Sequence, residues 1–362
     1  MNEEEAVRLF LQNGFQVSKN ALPLVLEDTE HILSELKKMK PRPFIISEQH
    51  IKNIEKPVKI KPLEIKTIKE YRQEKKPVCV KDYVDHFISR YEEIKKIISP
   101  KMETEKLISI NKIAIQSMMF SAIGVVREKN RNNILIEDTT GEMYVFFDDI
   151  LKEKFEEIGS DDVIGVVVKK SKDKYYAKNV IFPDIPSSRE VNKTENDMVL
   201  AVVSSPSKLD VAKYNDLIST LASTKNLSSI IFFDDTTNEN ITNDFSKFRP
   251  ITLETNPSLF QIENIKILIL PKIFFETLTF DFKTPDPITP ILKKRHLFPQ
   301  FIPNTHNNHD EFVLTEIPDL IISNFGETIN KNYKGTTIVS NSNPNKTFLI
   351  NLKTREVTEK TF

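Results

Sequence analysis

Several groups of acidic and imidazole side chains have the residue types that bind metal ions. Asp234 and Asp235 follow a short apolar run directly, and carboxylates at the end of a strand can bind a cation. Acidic residues are also common in turns, so solvated loop residues are the first interpretation of this pair and a metal site the second. His306, His309 and Asp310 form another candidate cluster. Their loop is rich in proline and asparagine and offers neither a thiolate nor a third histidine, which favours a polar surface loop.

The hydroxyl and thiol groups do not indicate covalent catalysis. Ser204, Ser205 and Ser207 lie close together in the sequence, but no histidine occurs between His86 and His296 to activate them. The sequence has neither a Gly-x-Ser-x-Gly elbow nor a glycine-rich phosphate loop. The single cysteine excludes an internal disulfide and argues against a cysteine-based zinc site within the chain.

The charge balance limits the function classes that the chain can serve. Its 51 Lys and Arg residues face 52 Asp and Glu residues, for a formal net charge of −1. A surface devoted to clamping nucleic acid needs an excess of cations, so only local basic patches are expected. One such patch is the lysine-rich stretch 55–76, which we interpret as a solvated tether, with contact to a DNA backbone as the alternative.

Targeting signals are not evident in the sequence. No apolar run reaches the roughly 20 residues that a membrane helix requires. The acidic start also lacks the basic and apolar regions of a secretory signal. We therefore expect a cytoplasmic protein that does not contact a membrane.

Apolar periodicity predicts helices in the first third of the chain. Residues 4–40 show the spacing of short helices, and the proline- and lysine-containing stretch that follows suggests an extended connection that can dock as an edge strand. A longer amphipathic helix is predicted over residues 82–99. Its expected apolar face consists of Tyr83, Val84, Phe87, Ile88, Tyr91, Ile94 and Ile98.

Five short β segments are predicted between residues 120 and 180, with one helix over 151–158 between the third and the fourth. This is the order of elements in an OB-fold barrel. Such a barrel binds single-stranded nucleic acid when aromatic residues line one face, and the candidates are Tyr144, Phe146, Tyr175 and Tyr176. Because both alternating faces around Tyr144 are apolar, packing in a core or against another domain is the favoured interpretation.

Beyond residue 186 the pattern changes to apolar strands that alternate with helices, which is typical of an α/β domain. A hairpin is predicted to turn at Glu263 and Asn264. The other predicted strands and the predicted helix fall at 199–203, 211–221 (the helix), 230–233, 320–322, 336–340 and 348–352.

The order of these parts, together with six short runs of sequence, resembles a known family. The runs are Ile136-Glu137-Asp138-Thr139-Thr140-Gly141, Val163-Ile164-Gly165-Val166-Val167, Ile181-Phe182-Pro183-Asp184-Ile185-Pro186, Asn256-Pro257, Lys294-Arg295-His296-Leu297 and Asn351-Leu352-Lys353-Thr354-Arg355-Glu356-Val357. Taken together and in order, they are similar to the small subunit of archaeal D-family DNA polymerases along essentially the whole chain.

The resemblance implies an α+β multidomain protein with four parts. Residues 1–53 would form a small helical N-terminal domain and residues 54–81 a basic linker. Residues 82–186 would form a helix and an OB-fold β-barrel. Residues 187–362 would form a calcineurin-like phosphoesterase α/β sandwich.

Active members of such a phosphoesterase family hold two metal ions with Asp, His and Asn ligands on loops after strands, and the resemblance implies that this chain has lost most of them. Ser205 and Ser207 stand where the family has Asp-x-His, and only Asp234 of the next pair keeps a carboxylate. The Gly-Asn-His-Asp motif is absent from residues 240–256. The later motifs read Pro271-Lys272 and Asn324-Phe325-Gly326-Glu327. Phe233 and Phe325 are expected to fill the former metal cavity.

These positions imply a degenerate phosphoesterase site, with no catalytic residue, no metal and no cofactor. The expected function is that of a non-catalytic scaffold subunit of a replicative DNA polymerase. Its implied partner is the large catalytic subunit of DNA polymerase D, with contact to DNA, and to a sliding clamp, through the complex. Two alternatives remain open: a metal-dependent 3′ to 5′ proofreading exonuclease and an OB-fold single-stranded DNA-binding protein.

Overall fold

The computed structural model describes residues 3–27, 29–38, 42–52, 64–72, 79–102, 107–113, 118–233, 244–246, 248–251, 256–277, 286–299 and 308–362. The chain divides into two compact units, Met1–Pro62 and Leu63–Phe362. None of the helices in the described ranges is long and apolar enough to cross a membrane.

The first unit consists of short helices and one small parallel sheet. Its elements are α1 (Glu3–Gln12), β1 (Gln16–Val17), α2 (Leu22–Glu27), α3 (Thr29–Lys38), β2 (Ile45–Ile46) and α4 (Glu48–Lys52). Gly14 ends α1 with a φ of 83°, a conformation that glycine adopts without steric cost. The rings of Phe10 and Phe15 pack together with Leu36 in the core of this unit. The helical spacing predicted for residues 4–40 is thus confirmed.

The second unit begins with a strand and a long helix and continues into a closed five-stranded barrel, in the strand order β4-β5-β6-β8-β7. The elements of this part are β3 (Ile65–Glu70), α5 (Val80–Ile98), β4 (Met119–Lys129), β5 (Asn133–Glu137), β6 (Glu142–Phe146), α6 (Lys152–Glu157), β7 (Val163–Ser171) and β8 (Lys174–Ile181). The five strands span residues 119–181, against the predicted range 120–180, and α6 lies within one residue of the predicted 151–158, because apolar residues and turn residues mark these elements.

Helix α5 packs lengthwise on β4 and β7 of the barrel. Phe87, Tyr91 and Ile94 are buried in this contact. Val84 and Ile88 were expected on the same face, but they are 46% and 43% exposed. They do lie on the predicted face, because they line one pocket with Tyr83, Phe87 and Tyr91, but the barrel does not bury them.

The close approach of α5 to the barrel depends on Gly165 in β7. A Cβ atom at this position would lie 2.8 Å from Met102 Sδ and 2.9 Å from Ile98 Cγ2. Real Cβ atoms do not approach other atoms this closely, so the end of α5 can reach β7 only over a residue without a side chain.

In the described ranges, the remainder of the second unit contains two sheets and several helices. Its elements are β9 (Val199–Ser204), α7 (Val211–Ser223), β10 (Leu227–Phe233), β11 (Pro250–Ile251), β12 (Ser258–Ile262), β13 (Ile265–Leu270), α8 (Lys272–Thr277), α9 (Ile288–Lys294), β14 (Leu320–Ser323), β15 (Ile329–Tyr333), β16 (Thr336–Ser340), β17 (Lys346–Asn351) and β18 (Val357–Thr361). The five-stranded sheet has the order β11-β10-β9-β17-β18, and the six-stranded sheet has the order β15-β16-β14-β13-β12-β3.

The two sheets pack face to face, with helices on their outer faces. In β9, Leu200 and Val202 point between the sheets, whereas Ala201 and Val203 pack against Leu217 of α7. The six-stranded sheet shows the same alternation and is covered on its outer face by α8 and α9. A sheet whose strands are apolar on both faces must pack against another element on each face. This explains the order of the four layers in this part, which are helix, sheet, sheet and helix.

Part of the lysine-rich stretch 55–76 belongs to this sandwich. Strand β3 adds to the edge of the six-stranded sheet by antiparallel pairing with β12. The edge strand suggested for this region is therefore present at Ile65–Glu70. The alternating residues 58–61, which prompted the suggestion, lie outside the described residues.

Candidate functional site

The carboxyl ends of the parallel strands β9, β13, β14 and β16 meet at one edge of the sandwich. Asn341, directly after β16, connects the two sheets there: its backbone N–H donates to Ser323 O at 2.9 Å, and its side-chain amide donates to Val202 O at 3.4 Å. The same amide donates to Lys346 O at 2.8 Å. This edge is where an α/β fold places ligand-binding loops.

Ser205 and Ser207 follow β9 at this edge. Ser205 is buried and adopts the left-handed conformation, with φ 44° and ψ 53°. Its backbone N–H donates to Phe233 O at 2.6 Å, so the backbone of Ser205 holds the ends of β9 and β10 together. A left-handed conformation costs a residue other than glycine about 1 kcal/mol, and such strain is concentrated at functional loops. A hydroxyl at this place remains a weak ligand for a divalent cation.

Pro271 and Asn324 stabilise the backbone at the edge of the second sheet. Pro271 is buried between β13 and α8, and Asn324 Oδ1 accepts a hydrogen bond of 2.7 Å from the backbone N–H of Lys272. The Asn324 oxygen thus supports the start of α8. Proline offers no side-chain ligand at all.

Phe325 and Glu327 stand at the last of the positions to which the resemblance assigns metal ligands. The Phe325 ring is fully buried and packs on the ring of Phe275, with 4.6 Å between the centroids. Glu327 is exposed to solvent. Phe233 lies in the core between the sheets, whereas Phe325 lies in the core under α8, so the two rings do not fill one shared cavity. Asp234 lies outside the described residues.

Within the described ranges, no group of three or more His, Cys, Asp or Glu side chains is placed to hold a metal ion. The serine, proline and phenylalanine side chains at the sheet edge do not supply the oxygen and nitrogen donors that a two-metal site requires. The described side chains at this edge therefore do not assemble a two-metal site.

A buried polar network joins α5 to the α/β sandwich. Asp310 Oδ2 accepts hydrogen bonds from Arg90 Nε at 2.5 Å and from His296 Nε2 at 2.8 Å, and His86 Nε2 lies 3.2 Å from the same oxygen. Arg90 also donates to Pro299 O. The side chains of Arg90 and Asp310 have no solvent exposure. The network thus connects residues far apart in the sequence.

This network corrects the expectation of a polar surface loop around His306 and Asp310. His309 is exposed as expected, but Asp310 is buried and paired; His306 lies outside the described residues. The sequence feature that could have indicated this network is Arg90. It is an arginine within the apolar stripe of α5, and a buried arginine requires a buried acceptor.

His296, one of the two histidines in this network, is neutral. The backbone N–H of Phe298 donates to His296 Nδ1 at 3.0 Å, so the ring proton resides on Nε2 and points to Asp310. Burial lowers the pKa of His296 to about 4, although Asp310 attracts its charged form. Burial alone would raise the pKa of Asp310, but His296 and Arg90 outweigh it and hold that pKa well below its usual range.

The depressed pKa of His296 predicts a loss of stability in mild acid. The unfolded chain takes up a proton near the ordinary histidine pKa of about 6.5. The native state does not do so until a pKa of about 4. The free energy of unfolding should therefore fall by about 1 kcal/mol between about pH 7 and pH 5.5. His296→Gln keeps a donor for Asp310 but has no titrating ring, so urea titrations of this variant at the two pH values should show a smaller difference. If the free energy of unfolding fell equally with pH in the variant and in the wild type, the depressed pKa of His296 would be contradicted.

Three of the four aromatic residues proposed for single-strand binding, Tyr144, Phe146 and Tyr176, lie on the outer surface of the barrel. Tyr175 instead packs against the barrel core, with 5.7 Å between the centroids of its ring and the ring of Phe120. Tyr144 is 47% exposed, whereas its neighbours Met143 and Val145 point into the barrel core. Packing in a core or against another domain was the favoured interpretation of this apolar stretch; Phe147 packs against the barrel core as expected, whereas Tyr144 is exposed within this chain. Phe146 pairs with Tyr176 at 5.9 Å between the ring centroids.

Comparison with known proteins adds a relationship to this geometry. No protein-family model matches the chain. Two curated proteins are similar to it. The DNA polymerase II small subunit of Archaeoglobus fulgidus is 28% identical over 179 residues, which cover 48% of this chain and 34% of that protein. The DNA polymerase II small subunit of Methanothermobacter thermautotrophicus is 30% identical over 131 residues, which cover 34% of this chain and 27% of that protein. The matched part thus spans a third or less of these relatives.

Among solved structures, the crystal structure of the S. pombe Stn1-Ten1 complex matches 21% of this chain and 73% of the matched chain. It is 15% identical with a TM-score of 0.18.

Proposed function

We propose that this chain is a non-catalytic accessory subunit of a replicative DNA polymerase of the D family, and that it stabilises the large catalytic subunit. The similarity to two DNA polymerase II small subunits supports the polymerase role. The closed barrel between α5 and the α/β sandwich supports its assignment as an OB-fold. The four-layered sandwich in turn supports a degenerate phosphoesterase domain after residue 186.

The observation that carries the non-catalytic assignment is the side-chain content of the carboxyl edge. The strained backbone at Ser205 is the kind that brings a ligand to a metal, yet Ser205, Pro271 and Phe325 offer no strong ligand. If an ancestral scaffold lost its two-metal centre, its loops would keep their backbone geometry and lose their donor atoms. The edge at Ser205, Pro271 and Phe325 fits this description. In this proposal the chain works in the cytoplasm without a cofactor, and reaches DNA and a sliding clamp through its partner.

Co-expression with the large polymerase subunit of the same organism tests this proposal. We expect a stable complex that persists in gel filtration at micromolar concentration. Polymerase and nuclease activities of the complex should be unchanged by Ser207→Ala and Glu327→Gln, which alter two of the family's metal positions without disturbing a buried side chain. Separate elution of the two chains would contradict the scaffold role.

A proofreading exonuclease is the alternative from another class. It would need Asp234 and further ligands to hold catalytic metal ions, and the described positions supply none. Manganese-dependent cleavage of mismatched primers that co-purifies with the chain and disappears in Asp234→Ala would favour this alternative.

Binding of single-stranded DNA by the barrel is a second candidate, favoured by the exposed ring of Tyr144. Phe146 lies on the same face with Lys174 Nζ 4.8 Å from its ring centroid, which combines a stacking surface with a cation. The carboxylates of Asp148 and Asp149 beside this face would repel phosphates. Retention of oligonucleotide binding in Tyr144→Ala would rule out this face.

A further inference from the structure

A cleft separates the barrel from the outer helices of the α/β sandwich within the second unit. Its volume is about 780 Å³, in the range of sites that enclose a ligand. The apolar part of its lining comes from α5, β8, the segment after β8 and the loop before β14. This floor includes Ile97, Pro100, Val180, Phe182, Ile185 and Ile317.

Five cationic side chains surround this apolar floor, and they come from both sides of the cleft. They are Lys101, Lys154, Lys293, Arg295 and Lys334. Among the described residues, Asp184 is the single acidic residue in the lining. Lys334 forms an ion pair with Asp184 at 2.6 Å, and Lys293 pairs with Glu157, which lies outside the lining. Two of the five cations therefore have a carboxylate partner of their own.

The other three cations are hydrogen-bonded to neutral oxygens. Lys101 Nζ donates to the backbone oxygens of Pro183 and Asp184, at 2.6 Å in both cases. Lys154 Nζ donates to Asn179 Oδ1 at 2.7 Å. Neutral oxygens satisfy the donors of a cation without cancelling its charge. Arg295 is in the same situation, because it donates to the carbonyls of Leu314 and Thr315.

The pKa of Lys101 is lowered mainly by burial, and the neighbouring cations contribute less. Burial lowers it to about 8, Asp184 opposes the shift, and the charges of Arg295 and Lys334 add to it. An anion in the cleft would reverse the shift and stabilise the protonated lysine.

The lining favours a peptide over a nucleic acid as the occupant. Bases bind by stacking on exposed aromatic faces. Phe182, the single aromatic side chain that the described part of the chain contributes to the lining, is only 7% exposed, and Lys293 Nζ lies 4.9 Å from the centroid of its ring. An apolar floor within a cationic rim instead matches an extended segment that alternates carboxylate and apolar side chains.

We propose that this cleft is a docking site for an acidic segment of a partner protein, whose carboxylates pair with Lys101 and Lys154, beside the buried charge of Arg295, while its apolar side chains cover the floor. The inference concerns this surface and does not rest on the polymerase role. A partner that presents such a segment would contact the barrel and the sandwich at the same time.

Fluorescence anisotropy with a short labelled peptide of alternating glutamate and leucine tests the proposal on the full chain. The double variant Lys101→Gln/Lys154→Gln removes the two accessible cations that are hydrogen-bonded to neutral oxygens and that the proposal pairs with the segment. We expect it to weaken binding about tenfold at low salt. Lys152→Gln is the matched control, because Lys152 is an exposed lysine of the same helix, α6, outside the lining, and it should change the affinity less than about twofold.

Two further probes separate docking from general charge attraction. A peptide with serine in place of leucine should bind about tenfold more weakly, because it cannot cover the floor. A thymidine oligonucleotide should not displace the leucine peptide. Equal affinity of the two peptides, equal effects of the double variant and Lys152→Gln, or displacement by the oligonucleotide would each overturn the proposal.

Discussion

Asp310→Ala should lower the free energy of unfolding by about 3–5 kcal/mol, the cost of leaving a buried charge without its partner. The variant leaves the guanidinium of Arg90 fully buried and without a carboxylate. It also removes the acceptor of His296. Because typical domains are stable by only about 5–15 kcal/mol, we expect a large shift of the urea midpoint. The chain has no tryptophan, so the measurement is circular dichroism.

Two variants establish whether this loss arises from the buried charge. Glu93→Ala breaks an exposed ion pair on α5, the helix that carries Arg90, between Glu93 and Lys96 at 2.7 Å. It should lower the free energy of unfolding by less than about 0.5 kcal/mol. Arg90→Met combined with Asp310→Leu removes both charges and should recover part of the stability that Asp310→Ala loses. A loss below about 1 kcal/mol in Asp310→Ala would contradict the burial of this pair.

Gly165→Val should cost about 2–3 kcal/mol, because it forces side-chain atoms into the contact between β7 and α5. A Cβ atom alone would meet Met102 Sδ at 2.8 Å and Ile98 Cγ2 at 2.9 Å. The methionine can move aside, but Ile98 is buried on α5 and has little room. The end of the helix must therefore shift away from the barrel. The free energy of unfolding from urea titration gives the size of the effect.

Gly141→Ala is the control for this prediction. A Cβ atom there would lie 3.5 Å from its nearest neighbour, an ordinary contact, so the free energy of unfolding should change by less than about 0.5 kcal/mol. Met102→Ala should relieve part of the clash when combined with Gly165→Val. If Gly165→Val lowered the free energy of unfolding as little as Gly141→Ala, the close contact between α5 and β7 would be contradicted.

The barrel and the hairpin could be predicted from the sequence because their signals are local. Apolar alternation marks each strand, and the turns carry residues suited to them, as at Gly141. The hairpin turns at Glu263 and Asn264 as predicted, with Glu263 at a φ of 50°. Such short-range patterns determine the bounds of an element without reference to the rest of the chain.

Strands β15 and β18 were not predicted because they lie at the edges of their sheets. Ile329–Tyr333 and Val357–Thr361 are largely polar and partly exposed, so they lack the apolar alternation of an inner strand. Helix α9 was missed as well, because Pro287 and Pro290 mark its sequence as a loop. The partners of these elements are distant in the sequence, and no local pattern identifies them.

The candidate site was predictable in its residue types but not in its contacts. Reading the sequence was sufficient to note that Ser205 and Phe325 are poor ligands. It could not reveal that Asn324 supports α8 or that Asp310 pairs with Arg90, because those contacts join segments far apart in the chain. Burial of a charge is a property of the assembled fold.

The pairing of β17 with β9 has a consequence for the synthesis of the protein. Strand β9 lies between β10 and β17 in the finished sheet, but β17 is translated after nearly all of the sandwich. At about 5–20 residues per second, β9 waits on the order of ten seconds for its neighbour. During that interval one edge of an apolar strand has unpaired N–H and C=O groups that can pair with another chain. A growing chain on the ribosome therefore needs protection of this edge until its last strands emerge.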